Sequence, residues 1–372
     1  MFEHMLAEKA FTLRGDVLEW VENMRFCGEP YGQYRFSSSR SYCDAYSSAI
    51  AAFLRDLFDE LSQLGEKERL QWIELLCSFQ DPDSGYFFDE RLFPRDDKDL
   101  LSLFELTHAC VSALDLLGSL PKNRLRFLDT FANAPTLRKW LDERVWVNQS
   151  SDGLVDRALL EGRLIFHLGG LLIYACEWGD IGHDVVEVFF RWLDYNIDPS
   201  TGLFGTKQGC SLLNSMCASS YIYGLYFHQS RLVRYPDRVI DSVLSLQRQD
   251  GLFGLTPEAN FSAAMLLVGM LMRCEHRQVE AEASLRRLQR SIISLELQND
   301  DGGFHVGAGL RGRHCHFGIT WLCADPYESN MLSTWLYCGA LALISEAVES
   351  PLSHVGWFLR ERNEAPTFSS WL

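Results

Sequence analysis

The stretch Gln298-Asn299-Asp300-Asp301-Gly302-Gly303-Phe304 decides the fold, because it has relatives along the chain. Asp250-Gly251-Leu252-Phe253-Gly254, Ser200-Thr201-Gly202-Leu203-Phe204-Gly205 and Asp83-Ser84-Gly85-Tyr86-Phe87 repeat it. Ser151-Asp152-Gly153-Leu154 is a partial copy, and Tyr31-Gly32-Gln33-Tyr34-Arg35-Phe36 stands where a first copy is due. Glycines 32, 85, 153, 202, 251 and 302 are separated by 53, 68, 49, 49 and 51 residues. A period near fifty means stacked copies of one supersecondary unit. In an acidic-Gly-aromatic turn the glycine takes a positive φ that a side chain would strain, and the aromatic can plug the gap between units.

Each turn follows an amphipathic helical pattern and precedes a more apolar one. Amphipathic helices are expected over 5–26, 66–80, 182–195, 236–249 and 279–298. Apolar ones are expected from Tyr42 onward and over 100–118, 160–177, 210–228, 259–273 and 327–346. The 68-residue spacing holds Pro121 to Pro135, an insertion or an extra turn. Helices apolar all round are buried on both sides, so the second helix of each pair forms an inner ring and the first an outer layer. The expectation is all-α: an (α/α)6 toroid of six helical hairpins, one domain over residues 1–372. Residues opening the inner helices converge on an axial cavity, and 351–362 closes the ring against the first helix.

Composition bounds the function. The chain has 47% hydrophobic and 23% charged residues, an ordinary globular balance, and a net charge of −16 that disfavours nucleic acid or an anionic membrane as partner. Its eleven cysteines lack a framework, and several (Cys110, Cys176, Cys217, Cys338) sit in apolar runs, as reduced core thiols do. Met1-Phe2-Glu3-His4 lacks a signal-peptide pattern, and no run reaches the roughly 18 uninterrupted apolar residues of a membrane span. These features lead to the expectation of a cytoplasmic protein acting on a small molecule.

Gln298-x-x-Asp301-Gly302-Gly303-Phe304, a loop, and then Ser329-Asn330-Met331-Leu332-Ser333-Thr334-Trp335-Leu336 resemble the repeat of squalene-hopene cyclases and protein prenyltransferase β-subunits. Gln247-x-x-Asp250-Gly251-Leu252-Phe253-Gly254 is a second match. The resemblance implies an α/α toroid and an isoprenoid-type substrate in its axial cavity; the repeat itself carries fold rather than chemistry. The cyclase Asp-x-Asp-Asp run is absent. Asp96-Asp97-Lys98-Asp99 is the nearest approach to a magnesium-binding Asp-Asp-x-x-Asp, out of register and with a lysine inserted. Arg313-His314-Cys315-His316 lies where the prenyltransferase zinc ligands would start, and Glu328 near a further ligand.

Candidate chemistry falls in five groups. His314 and His316 project to one face of an extended segment, as zinc or another transition metal requires, and Asp325 or Glu328 could complete the site; the alternative is a loop packed by imidazole–carboxylate bonds. Glu105 and His108, three residues apart on an inner helix, could be a general acid/base pair or a buried pair satisfying itself. Glu161, Arg163 and His167 on the third inner helix pose the same choice. Asp44, Asn214, Glu258 and Asn260 stand at inner-helix starts, as substrate contacts or as caps and first-turn groups. Tyr221 and Trp335, with Met216, Tyr223, Phe261, Met265 and Tyr337, are core or cavity wall, which periodicity does not separate. Three functions follow: a terpenoid cyclase-like or prenyl-transferring enzyme, with zinc or magnesium as candidate cofactor; a carbohydrate-active hydrolase, lyase or epimerase using cavity Glu and His; and a non-catalytic binding toroid.

Overall fold

The apolar runs that follow the glycine turns fold as helices around a common axis, and the amphipathic runs pack outside them. The computed structural model describes residues 2–28, 30–92, 100–146, 157–307, 323 and 325–359, with the paired backbones of two-residue strands β1 (Cys315–His316) and β2 (Thr320–Trp321), and β3 (Glu361–Arg362) and β4 (Ala365–Pro366). The described helices are α1 (Phe2–Asn23), α2 (Ala45–Leu57), α3 (Glu66–Ser78), α4 (Leu100–Leu116), α5 (Ala134–Asp142), α6 (Arg157–Glu177), α7 (His183–Asn196), α8 (Leu212–His228), α9 (Pro236–Leu244), α10 (Pro257–Leu271), α11 (Gln278–Ser294) and α12 (Met331–Ala347).

The even-numbered helices form the inner ring. Each packs on the next, and α12 packs back on α2. Every residue of α2 is buried, as are Pro257 and Ala259 to Met270 of α10, because these helices have neighbours on both sides. The outer helices bury one stripe only: Val239, Ile240 and Val243 on α9, and Ala281, Leu285, Leu288 and Ile292 on α11. This is an all-α, α/α-toroidal architecture. The 3₁₀ turn Pro351–His354 lies against α1 and α12, so the final segment does cover the seam between last and first units.

The turns show why the repeat exists. Gly32, Gly85, Gly202, Gly251 and Gly302 all have positive φ, from 72° to 98°. Each also abuts the following outer segment: Gly32 meets Trp72, Gly85 the Arg124 carbonyl, Gly202 and Gly251 the backbones of α9 and α11. Gly302, in the last unit, meets the Asp16 carbonyl of α1, where an added Cβ would collide. The glutamine of the repeat serves the same seam. Gln80 Nε2 donates to the Gly85 and Asn123 carbonyls (3.2 and 2.7 Å), and Gln247 Nε2 to those of Gly251 and Ser284 (both 2.9 Å).

The aromatic side chains Tyr34, Phe87, Phe204, Phe253 and Phe304 are buried, and each aromatic's amide donates to a polar side chain on the following inner helix. The acceptors are Ser48, Thr107, Ser219, Asn260 and Thr334, at 2.8–3.4 Å. Helix ends differ from expectation: α11 stops at Ser294. α9 stops at Leu244, because Arg248 already bonds Leu252 across the turn. The extended spacing of the third unit contains a 3₁₀ turn, Arg126–Thr130, before the short α5. The Gly153 turn and Asp96-Asp97-Lys98-Asp99 lie outside the described residues.

Candidate active site

All six inner helices contribute to one axial cavity of about 210 Å³. Its wall has two halves. Phe53 of α2, Phe261 and Met265 of α10, and Leu332 and Trp335 of α12 make an apolar side, with Trp335 set between Phe53 (5.5 Å between ring centroids) and Phe261 (6.1 Å, stacked). The facing side carries Glu105 and His108 of α4, Arg163 and His167 of α6, and Tyr221 of α8, flanked by Tyr46 of α2 and Glu258 of α10.

The polar side is built around Glu105. Its Oε2 accepts from Arg163 Nη2, its Oε1 accepts from the Tyr46 hydroxyl at 3.1 Å, and His167 Nε2 lies 3.8 Å from Oε2. Burial alone would depress the Arg163 guanidinium, but the surrounding acidic groups, Glu105 foremost, more than offset this and hold it raised. The pair is therefore a carboxylate set against a guanidinium, with Glu105 buried and Arg163 largely so. Burial, reinforced by Glu105, raises the Tyr46 phenol well above its ordinary value, and burial with Glu258 does the same for Tyr221. Both phenols stay protonated as donors. The Tyr221 hydroxyl donates to Glu258 Oε1 at 2.5 Å.

The two imidazoles form a chain with this carboxylate. His108 Nδ1 and His167 Nδ1 are 3.1 Å apart, so one donates and the other accepts. Burial pushes His108 well below the ordinary imidazole value, His167 and His228 add to this, and Glu105 opposes it only in part. His108 is neutral. Its Nε2 edge packs on Gly170 of α6, where any side chain would strike the ring. The Gly169-Gly170 pair inside an apolar helix thus makes room for the His108 ring at Gly170, while Gly169 faces Phe189 and Leu225.

The structure redistributes the candidate residues. Glu105, His108, His167, Tyr221 and Trp335 line the cavity together, as do Arg163 and Glu258. The pairing differs from the one expected: Glu105 reaches across to α6 and α2, so its imidazole neighbour at 3.8 Å is His167, while His108 bonds His167. Glu161 is off the cavity wall, held by Arg157 (2.9 Å) and near Arg144 (3.7 Å). Asp44 caps α2, accepting from the Ser47 amide and hydroxyl, both at 2.7 Å. Asn260 is the turn anchor for Phe253 and also donates to the Thr256 carbonyl at 2.9 Å. Asn214 sits in the first turn of α8, away from the described cavity wall.

Glu328 ties the last loop to the first turn, accepting from Ser38 Oγ, Ser39 N and Ser39 Oγ at 2.6–2.9 Å, and Asp325 closes a local turn on the Tyr327 amide. The side chains of His314 and His316 lie outside the described residues. Among the described residues no three His, Cys, Asp or Glu side chains gather as a metal site would require. Of the aromatic and methionine set, Tyr221, Phe261, Met265 and Trp335 face the cavity, and Met216, Tyr223 and Tyr337 are core. Sequence reasoning assigned Tyr46 no role; its one signal was its place in the first turn of an inner helix.

Comparison with known proteins supports the architecture. No family model matches the chain, and no curated protein matches it in sequence. A crystal structure of a protein from Actinoplanes is similar in fold, with a TM-score of 0.50 and 14% identity over 90% of this chain and 99% of that one. A polysaccharide lyase aligns with a TM-score of 0.47 and 9% identity, over 92% of this chain and 97% of the lyase. The first likeness is one of fold alone. α6 is long and apolar enough to cross a bilayer, but it is an inner helix buried in the ring.

Proposed function

We propose that this protein is a carbohydrate-active enzyme of the proton-moving kind, an epimerase or eliminating enzyme, with its active site in the axial cavity. The observation that carries the reading is the Glu105–His167–His108 chain facing Trp335 across one cavity. An imidazole oriented by a neighbouring carboxylate and a second imidazole is suited to taking a proton from carbon and returning it. Trp335 offers a flat face for the C–H side of a sugar ring, and the Tyr46 and Tyr221 hydroxyls offer polar contacts for its oxygens. Hydrolysis by two carboxylates fits less well, since it needs one carboxyl free to give a proton and Glu105 is bound by Arg163.

In this reading His167 transfers the proton through Nε2 while its Nδ1 donates to His108 Nδ1, Glu105 at 3.8 Å stabilises the charged ring, and Arg163 holds Glu105 in place. The test is solvent isotope exchange. Reducing sugars incubated with the enzyme in D₂O should gain carbon-bound deuterium, and His167→Gln should slow this by about 10²-fold or more. Absence of exchange, isomerised product and unsaturated product across neutral, amino and acidic sugars sinks the reading.

The apolar half of the cavity favours a second reading, a terpenoid cyclase-like enzyme whose aromatic faces (Phe53, Phe166, Phe261, Trp335) stabilise a carbocation. That reading requires consumption of squalene or of a prenyl diphosphate supplied with magnesium, and it falls if neither is depleted.

A further inference from the structure

The charges on the cavity wall do not balance. Arg163 is the single lysine or arginine among the described lining residues, and Glu105 already meets its charge. Glu258 adds a second carboxylate to the same wall, and the Tyr221 hydroxyl occupies Oε1 alone, leaving Oε2 to accept from a ligand. His108 is neutral. With His167 also neutral the wall carries one net negative charge, and with His167 protonated it carries none. In neither state does it hold an uncompensated cation for an anionic ligand. A ligand carboxylate would enter as a third negative group in a partly desolvated space, which is costly.

The rest of the wall suits a cation. Phe261 follows Glu258 by three residues on α10 and shares its face. The faces of aromatic rings attract ammonium groups, and they do so more strongly where water is excluded. The net charge of −16 also draws cations towards the molecule from a distance.

We propose that this cavity selects a ligand carrying a protonated amine on a saturated ring, an amino sugar, and discriminates against uronic acids, with Glu258 as the specificity-determining residue. The inference deepens the carbohydrate reading and rests on it for the identity of the ring.

Calorimetric titration of the purified protein tests both layers separately. Cyclohexylamine and cyclohexanol differ in charge while sharing a ring, and glucosamine and glucuronate do the same among sugars. Cyclohexylamine should bind about tenfold more tightly than cyclohexanol, glucosamine more tightly than glucuronate, and Glu258→Gln should abolish both preferences. If cyclohexylamine binds no better than cyclohexanol, or if its advantage survives Glu258→Gln, the amine site is overturned whatever the sugars do. If the amine advantage holds and depends on Glu258 while glucosamine fails to bind, the charge selection stands and the carbohydrate reading fails. Glucuronate binding as tightly as glucosamine overturns the selection against acids.

Discussion

Glu105 and Arg163 are worth more as a pair than either is alone. Glu105 is buried and Arg163 largely so, with side-chain exposures of 6% and 14%, and each is the other's principal counter-charge. Removing one leaves an uncompensated charge in a low-dielectric site, at a typical cost of about 3–5 kcal/mol, whereas removing both together is far milder. Glu105→Gln is therefore expected to destabilise the fold by about that amount, and Glu105→Gln/Arg163→Met to recover most of it, as read by chemical denaturation. A single variant as stable as the parent would mean that water reaches the pair. Asp44 behaves differently. Burial raises it from 3.8 to about 7, against the opposing bonds from Ser47. The native state then holds a proton that the unfolded chain releases, so Asp44 makes stability fall as pH rises from about 4 to about 7. Asp44→Asn keeps a capping oxygen and should flatten that part of the stability profile; an unchanged slope would show that Asp44 titrates normally.

The helices were legible because their periodicity depends on one neighbour layer at a time. An outer helix such as α11 buries a single stripe, and an inner helix such as α10 is apolar all round, so the two kinds differ in the residues themselves. Their ends were less legible. α9 stops early because the turn bonds of Gln247 and Arg248 compete with continuing the helix. The polar residues of the inner helices were the least legible. Asn260 read as a substrate contact or a cap, yet it accepts an amide from the aromatic turn before its helix, as Ser48, Ser219 and Thr334 do from theirs. Nothing local separates such an anchor from a cavity residue, because the backbone donor it meets comes from outside its own helix.

At the scale of the whole molecule, the repeat is a seam that runs once round and closes on itself. The Gly302 turn in the last unit rests on Asp16 of α1, α12 packs on α2, and Glu328 reaches Ser38 and Ser39 of the first turn. A lesion in the last unit should therefore loosen the first. Gly302→Ala combines a strained φ of 95° with a collision against α1, and it is expected to cost about 2 kcal/mol or more. Amide hydrogen exchange should then rise in α1 as well as around residue 302. Faster exchange confined to the Gly302 turn would mean that the ring does not transmit strain across its seam.

The sequence by itself determined the architecture. The fifty-residue period, the glycine that only a tight turn requires and the alternation of half-apolar with wholly apolar helices are properties of neighbouring residues, which the chain displays in order. It also displayed Glu105, His108, His167, Tyr221 and Trp335 one by one. Only the tertiary structure decided that these face one cavity while Glu161 and Asn260 do not, and that Glu105 lies beside His167, on another helix, while His108 bonds that same imidazole. The reason is geometric. Helical spacing fixes which side chains share a face, but the chemistry here is assembled across helices, from residues as far apart in the chain as Tyr46 and Trp335, by the closure of the ring.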